Sequence, residues 1–472
     1  MTAPVAIPLP RIRQEVSANR GLTAGVGLLL AALLGMTLLQ YTLPARCDAH
    51  WWGLDPEGMR QFATHYGLSG LPRMDADHFS LAFRLMLVGL WSGWALALAA
   101  GGQAKAIPTR PILTAVVLTA LLTAIFSPPL LSHDVYAYDA QGRLFTLYGQ
   151  NPYFSRPSFL VSVADPAAGF VTWNTPSVYG PVWTGIEAAI TFFVRGVWPQ
   201  VIVLKLVEGV ALIGTALAGR RITAILCPGR ENLTLLAIGL NPLLILEGPG
   251  SGHNDLLLVC CLLVGAMFYL EKKYIPAALF LGLSVGIKLV TLAVLPWALR
   301  EYSRGRPRRQ VVIAIATGSL VALLPLVLGY APFWHGSATL AAMGQRSLYH
   351  AGTAALASDF ILRRWLLAHG VGSAAAPICV ALFQNRVSLA VYAALSACLW
   401  RVRAPGAWLT AWAIFAATLM FFALGLPFPW YIAWFWPVCL LRWNRFHLGL
   451  SGICFGLSLG WMSGYGIVCQ LR

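Results

Sequence analysis

From residue 21 to residue 467 the sequence alternates apolar runs with short stretches that hold most of its Lys and Arg. A helix crosses the apolar core of a bilayer in about 20 residues, and most of the runs are close to that length. Inside lipid every backbone N–H and C=O needs an internal partner, so a chain written this way folds as a helical bundle. Charged residues make up 11% of the 472, against about 25% in soluble domains, and the mean hydropathy is +0.70. The expected fold class is an all-α polytopic membrane protein with about 11–13 transmembrane helices. Residues 1–110 are read as an N-terminal hairpin with its external loop, and 111–472 as the main membrane domain.

The net charge of +16 lies in short basic clusters between apolar runs and forms no continuous patch, which argues against nucleic acid and matches the excess of Lys and Arg in cytoplasmic loops. Nine cysteines fall mostly within apolar runs without metal-ligand spacing and are read as small hydrophobes. Arg11, Arg13 and Arg20 precede a first apolar run too long for a signal peptide, so the N-terminus is expected in the cytoplasm and the first run is an anchor.

Placing the basic clusters inside gives a consistent weave. Helices over about 21–43, 80–101 and 111–127 put Ser132–Tyr153 outside. The stretch 182–197 is expected to lie along the external interface, because a span there would turn Arg220 and Arg221 outward. Residues 274–299, flanked by basic clusters on both sides, read as a hairpin broken near Gly286–Lys288 with Lys288 at its outer tip. Residues 331–375 read as an external loop. Only Glu15, Glu231, Glu271 and Glu301 fall on the basic side; most other carboxylates lie outside, and they were not used to build the weave.

Four constellations can carry chemistry. The first is SHDVYAYDAQGRLFTLYGQNPY, Ser132–Tyr153. An ionisable cluster at a membrane boundary is costly to keep dry and marks a functional site. Asp134 among aromatic rings suits a general base for group transfer; equally, His133, Asp134 and Arg143 could form an ion-pair network capping the third helix. Asp139 falls on a different helix face from Asp134. The second is GPGSGHND, where His253, Asn254 and Asp255 begin a helix on the same side as Asp134, either as a cap or as a polar site. The third is Lys288 in LSVGIKLV, which suits an anion such as phosphate or else snorkels to the interface; Arg346 is a second external cation. The fourth is aromatic, with Tyr179 and Trp183 in SVYGPVW and the run PFPWYIAWFW at Pro427–Trp436. Such rings anchor helices at the interface and also stack on sugars. The nucleotide-binding loops and hydrolase motifs with known mechanics are missing from the sequence.

Taken in order, DVYAYDAQGRLFTLYGQNPY, YGPVW, GHND, GIKLVTLAVLP and PWYIAWFWP resemble the polyprenol-phosphate-mannose-dependent α-mannosyltransferases of the GT-C superfamily, the bacterial α-1,6-mannosyltransferases above all and the GPI-anchor mannosyltransferase more distantly. The resemblance covers Ser132 to the C-terminus. It implies a GT-C membrane domain in which Asp134 is the catalytic base that activates an acceptor hydroxyl, with inversion at the anomeric carbon. On it, Lys288, Arg346 and Arg143 are assigned to the donor phosphate. His133, Tyr138, Asp139, Tyr179, Trp183, His253, Asn254 and Asp255 are assigned to sugar and acceptor. The implied partners are a polyprenyl-phosphate sugar, a glycan or glycolipid acceptor and membrane lipid, with no cofactor and no metal. The implied location is the plasma membrane with the site extracytoplasmic. Another donor sugar, glucose or arabinose, remains an alternative, as does a flippase of lipid-linked glycan. A transporter calls for charged groups near the midplane or an internal repeat; Lys205 and Glu208, spaced i, i+3, are expected to pair with each other, and no repeat is evident.

Overall fold

A computed structural model describes residues 9–42, 64–67, 72, 74–104, 106–129, 131–170, 174–340, 353–422 and 428–465. The longer helices are α1 (Leu9–Gln40), α2 (Ala76–Gln103), α3 (Thr109–Leu121), α4 (Asp134–Tyr148), α5 (Pro181–Phe193), α6 (Val197–Leu226), α7 (Glu231–Gly239), α8 (Asp255–Leu270), α9 (Tyr274–Ile287), α10 (Val294–Ser303), α11 (Arg308–Tyr330), α12 (Thr353–Ala368), α13 (Ala375–Arg401), α14 (Ala407–Phe422) and α15 (Arg445–Tyr465). No strand occurs among the described residues. The protein is an all-α, multi-pass membrane protein.

Five helices among the described residues are long and apolar enough to cross a membrane: Ser17–Gln40, Asp77–Gln103, Thr109–Phe126, Val197–Leu226 and Arg308–Phe333. A sixth span forms if α7 and the following Pro242–Gly250 segment, bent by 48°, cross together. Three shorter apolar helices, α8, α9 and α14, add to these. Their shortness accounts for three of the helices by which this count falls below the larger one expected. The bend after α7 has a local cause. The Asn241 side chain accepts from the Leu243 and Leu244 N–H groups at 3.0 and 3.3 Å, Pro242 opens the next turn, and Leu246–Gly250 widens into a π-helical turn containing Pro249, which has no N–H to give.

The N-terminal pair packs through small residues. A Cβ on Gly25 would meet the Ala97 amide nitrogen at 2.5 Å, and one on Gly93 the Leu29 nitrogen at 2.6 Å, so the two backbones touch where α1 and α2 cross. The pair is joined to the body by Trp94, whose Nε1 donates to the Ala237 carbonyl at 3.2 Å, and by Trp91, which stacks on Trp436.

Helix α6 is the pillar of the main domain. Its Lys205 is fully buried and donates to the carbonyls of Thr123, at 2.9 Å, and Ser127. Those carbonyls lie at the end of α3, where a π-helical turn over Leu122–Phe126 leaves oxygens that a cation satisfies. Glu208 instead accepts from the Leu257 N–H at 3.0 Å, at the start of α8. The expected Lys205–Glu208 pair therefore does not form; each residue serves a different helix end.

Two further segments differ from the sequence reading. Helix α5 ends at Phe193, too short to span and shorter than the expected 182–197, and Gly196 with φ +91° turns the chain into α6. Residues 353–368, expected within a loop, form α12, where Arg364 lies over the Phe360 ring at 5.0 Å, one turn away. The run 274–299, expected as a hairpin, is interrupted where expected, with Lys288 extended between α9 and a 3₁₀ turn at Leu289–Ala293.

Gly93→Ala is expected to lower folding stability by about 1–3 kcal/mol, the usual cost of an overpacked contact. Thermal unfolding of the detergent-purified protein measures it.

Candidate active site

The segment Ser132–Tyr153 is no surface loop. It forms α4, and every residue from Asp134 to Leu144 is buried. Ser132 Oγ accepts from the Asp134 N–H at 3.1 Å, so the helix begins at Asp134 and its carboxylate sits in the first turn, where the helix dipole favours negative charge. Val135 packs against Gly252, where a Cβ would come within 2.9 Å of it and where φ is +82°. That close approach brings Asp134 to the GHND turn. His253 Nδ1 lies 3.5 Å from Asp134 Oδ2, and its Nε2 lies 3.5 Å from Glu247 Oε2. The imidazole stacks on Trp430, centroids 3.9 Å apart, and Trp430 stacks on Phe428 at 4.2 Å.

A second group joins this one through Asp255. Lys288 Nζ donates to Asp255 Oδ1 at 2.6 Å, and Trp434 Nε1 donates to the same oxygen at 2.5 Å. The ammonium lies over the rings of Tyr179, Tyr431 and Trp434 at 5.5, 5.6 and 5.7 Å, close enough for cation–π attraction. Two glycines create this meeting of YGPVW with GIKLV. The Gly180 N–H donates to the Ile287 carbonyl at 2.9 Å, and a Cβ on Gly180 would fall 2.2 Å from the Gly286 oxygen. Tyr138 bridges the two groups. Its ring meets Tyr179 and Trp183 edge-on at 5.1 Å each. Burial first, then Tyr179, Asp134 and Asp255, push its phenol well above the usual value, so it stays a neutral hydroxyl. Asn254 is fully buried, and neither of its side-chain polar atoms has a hydrogen-bond partner among the described residues.

Of the residues singled out from the sequence, Asp134, Tyr138, Tyr179, Trp183, His253, Asp255 and Lys288 therefore converge, and Asn254 lies between two of them in the chain. His133 precedes Asp134 and meets the Tyr136 ring edge-on. Arg143 and Asp139 lie elsewhere. Arg143 makes a two-bond fork to Asp165, Nε–Oδ1 2.9 Å and Nη2–Oδ2 2.8 Å, and a third bond to Gln200 at 2.8 Å. The ion-pair network of His133, Asp134 and Arg143 weighed above is thus replaced by an Arg143–Asp165 pair. Burial raises the Asp165 carboxyl, but bonds from Arg143, Tyr148 and the Ala167 N–H outweigh it and hold it below its ordinary value. Burial pushes Asp139 well above the usual carboxylate range, with Arg143 opposing. Arg346 lies outside the described residues, as does Pro427.

Glu247, Trp430 and Trp434 were not singled out individually from the sequence. A signal for Glu247 existed, since it is a carboxylate at the end of the apolar run NPLLILEGPG, the kind of position that ordinarily marks function. The two tryptophans could not be separated from interfacial anchors by sequence alone.

The family model described as "Alpha-(1->6)-mannopyranosyltransferase, N-terminal domain" matches residues 52–301, more than half of the chain and a range containing Asp134, Glu247, His253, Asp255 and Lys288. The chain belongs to this family. Among relatives in it, Alpha-(1->6)-mannopyranosyltransferase B of Corynebacterium glutamicum is 31% identical over 232 residues, 43% of this chain and 37% of that protein. Alpha-(1->6)-mannopyranosyltransferase A of the same organism is 29% identical over 183 residues, 37% of this chain and 36% of that protein. The A protein of Mycobacterium tuberculosis is 26% identical over 223 residues, 45% of this chain and 41% of that protein. The chain thus aligns with well under half the length of these curated relatives. No solved structure matches it.

Arg143→Met leaves Asp165 buried without its cation and is expected to cost about 3–5 kcal/mol, read by thermal unfolding. Because the Asp165 carboxyl is depressed in the folded state, its contribution is fully present above the ordinary carboxylate value near about 4 and is lost as pH falls through the depressed one. In Arg143→Met that acid-side loss is expected to shrink.

Proposed function

We propose that the protein is an integral membrane glycosyltransferase that moves mannose from a polyprenyl-phosphate donor to a lipid-linked or cell-envelope glycan on the extracytoplasmic face. One observation carries this reading: a buried carboxylate at a helix start and a partly buried Lys–Asp pair share one aromatic-walled cluster in a chain of this family. Asp134 accepts the proton of the acceptor hydroxyl as that oxygen attacks the anomeric carbon. The bond from that carbon to the phosphate oxygen breaks, its electron pair leaves with the phosphate, and the configuration inverts. Lys288, with Arg346 as a second cation, stabilises the departing phosphate electrostatically. Tyr138, Tyr179, Trp183, Asn254 and Asp255 line the sugar and acceptor region, where flat rings and neutral donors suit a pyranose. The leaving group carries a single phosphate, so a resident cation on the protein suffices and no cofactor is assigned. The basic clusters at one end of the helices support placing the N-terminus in the cytoplasm of a plasma membrane and the cluster on the opposite face.

The test incubates purified protein with radiolabelled polyprenyl-phosphate mannose and a lipid-glycan extract. Asp134→Asn, folded as judged by thermal unfolding, is expected to lower transfer at least about a thousandfold, within the range for general bases. Equal transfer by both proteins overturns Asp134 as base. Transfer from glucosyl or arabinosyl donors instead of mannose replaces the sugar, and movement of lipid-linked glycan between leaflets without transfer replaces the class.

A further inference from the structure

We propose that the protein carries a binding site for an anionic phospholipid where α13 closes and α14 and α15 begin, with an acyl chain between α13 and α14 and the headgroup phosphate on Arg442. The proposal rests on the membrane fold and not on the reaction assigned to the Asp134 cluster. A pocket of about 270 Å³ opens at this end of the three helices, lined by α13, α14, Arg442 and His447. The same end meets the basic segment after α10, because Arg304 donates to the Leu399 carbonyl. On the charge asymmetry of the chain this is the cytoplasmic leaflet.

Helical periodicity builds the walls. From α13 come Leu395, Cys398, Leu399 and Val402, spaced i, i+3, i+4, i+7, and α14 answers with the same spacing between Ala407 and Ile414, so one face of each helix turns inward. The α14 wall carries only methyl groups at 407 and 411, and the space a larger side chain would fill stays open. The volume falls just under the roughly 300 Å³ at which sites for compact small molecules begin, which suits a length of hydrocarbon. Both ring nitrogens of His447 are taken, Nδ1 by Asn444 Oδ1 at 2.8 Å and Nε2 by the Thr410 hydroxyl at 3.0 Å, so the imidazole is wall. Trp400, 68% exposed and lying against the Arg300 guanidinium at 3.9 Å, sets the depth, since such a ring belongs at headgroup level.

Charge selects the occupant. Arg401, Arg403 and Arg445 are exposed in the segments that bound the pocket, and Arg442 is half-buried in its lining. Residues 360–472 contain no Asp or Glu to offset them. The acid that reaches this end is Glu301 of α10, whose Oε1 accepts from the Gly406 N–H at 3.1 Å, and a single carboxylate leaves the mouth positive. Arg442 Nη2 donates to the Pro405 carbonyl at 2.5 Å, while its other nitrogens have no hydrogen-bond partner among the described residues. A guanidinium fixed through one nitrogen and open at the others is built to receive a phosphate. Basic pockets between membrane helices on the cytoplasmic side take anionic headgroups in this way. A zwitterionic lipid would bring its own cation into a mouth that is already positive.

The experiment places the full-length purified chain in phosphatidylcholine nanodiscs with a trace of phosphatidylglycerol that carries a photoactivatable diazirine in its acyl chain, and maps the labelled residues by mass spectrometry. Labelling is expected to concentrate between Leu395 and Ile414, and to be competed by unlabelled phosphatidylglycerol but not by inorganic phosphate. Arg442→Gln is expected to lower it about fivefold, the share of one basic residue at an anionic surface, and Ile414→Trp, which fills the pocket, to abolish it. Arg403→Gln combined with Arg445→Gln changes two exposed side chains that have no hydrogen-bond partner among the described residues; it should lower labelling at least as far, and it decides should Arg442→Gln unfold. Labelling spread evenly over the lipid-facing helices overturns the proposal. Equal labelling by a diazirine phosphatidylcholine overturns it in favour of a slot for any acyl chain, and displacement by inorganic phosphate in favour of a soluble anion. Wild-type labelling in the folded arginine variants overturns it as well.

Discussion

The architecture depends on one constraint: a charge removed from water must be met by an opposite charge or by aligned polar groups, because the uncompensated cost far exceeds what a domain's net stability can absorb. Among the described residues the interior meets it in three ways. Arg143 and Asp165 form a forked pair with Gln200 and Tyr148 attached. Lys288 and Asp255 pair within a ring of aromatic faces. Lys205 takes backbone carbonyls at the end of α3. These arrangements are also where irregular backbone occurs, since π-helical turns at Leu122–Phe126 and Leu246–Gly250 supply the oxygens and the geometry. Irregular main chain at membrane depth is tolerated where protein surrounds it, and Leu246–Gly250 is buried throughout, as are Thr123 and Ala124 of the other turn.

The outcome divides the polar groups by task. The Arg143 assembly fastens the segment after α4, from Tyr148 to Ala167, to the bundle. The cluster around Asp134 and Lys288 keeps charged atoms beside the Tyr138 hydroxyl and flat aromatic rings. Both assemblies draw on α4, one from its first turn and the other from its third. The arginine is therefore structural support for the helix that presents the carboxylate.

Much of this was legible in the sequence. Runs of about twenty apolar residues and clustered Lys and Arg report bilayer thickness and charge asymmetry, so helix positions for α2, α3 and α11 could be read closely, while α1 and α6 were placed but read too short. The residues Asp134, Tyr179, His253, Asp255 and Lys288 were visible because an ionisable or hydrogen-bonding group inside an apolar chain stands out. What could not be read was pairing across the bundle. Arg143 chose Asp165 over Asp134, and Lys205 chose carbonyls over Glu208, because helix ends and π-helical turns present acceptors that leave no mark on the side-chain pattern. The tryptophans of PWYIAWFW look the same in sequence whether they face lipid or a lysine; only packing separates Trp434, bonded to Asp255, from a girdle residue. Helix α12 was hidden because Arg363 and Arg364 interrupt its apolar residues.

The carbonyl clasp on Lys205 also bears on biogenesis. Its acceptors, at Thr123 and Ser127, precede it in the chain, so when α6 emerges from the ribosome the oxygens that receive the ammonium have already been synthesised. Glu208, on the same helix, depends on the Leu257 N–H, which is made later. In chain order, the partners of the cationic side of α6 are therefore complete before that of its acidic side, with the stretch from Glu231 to Leu257 still to follow.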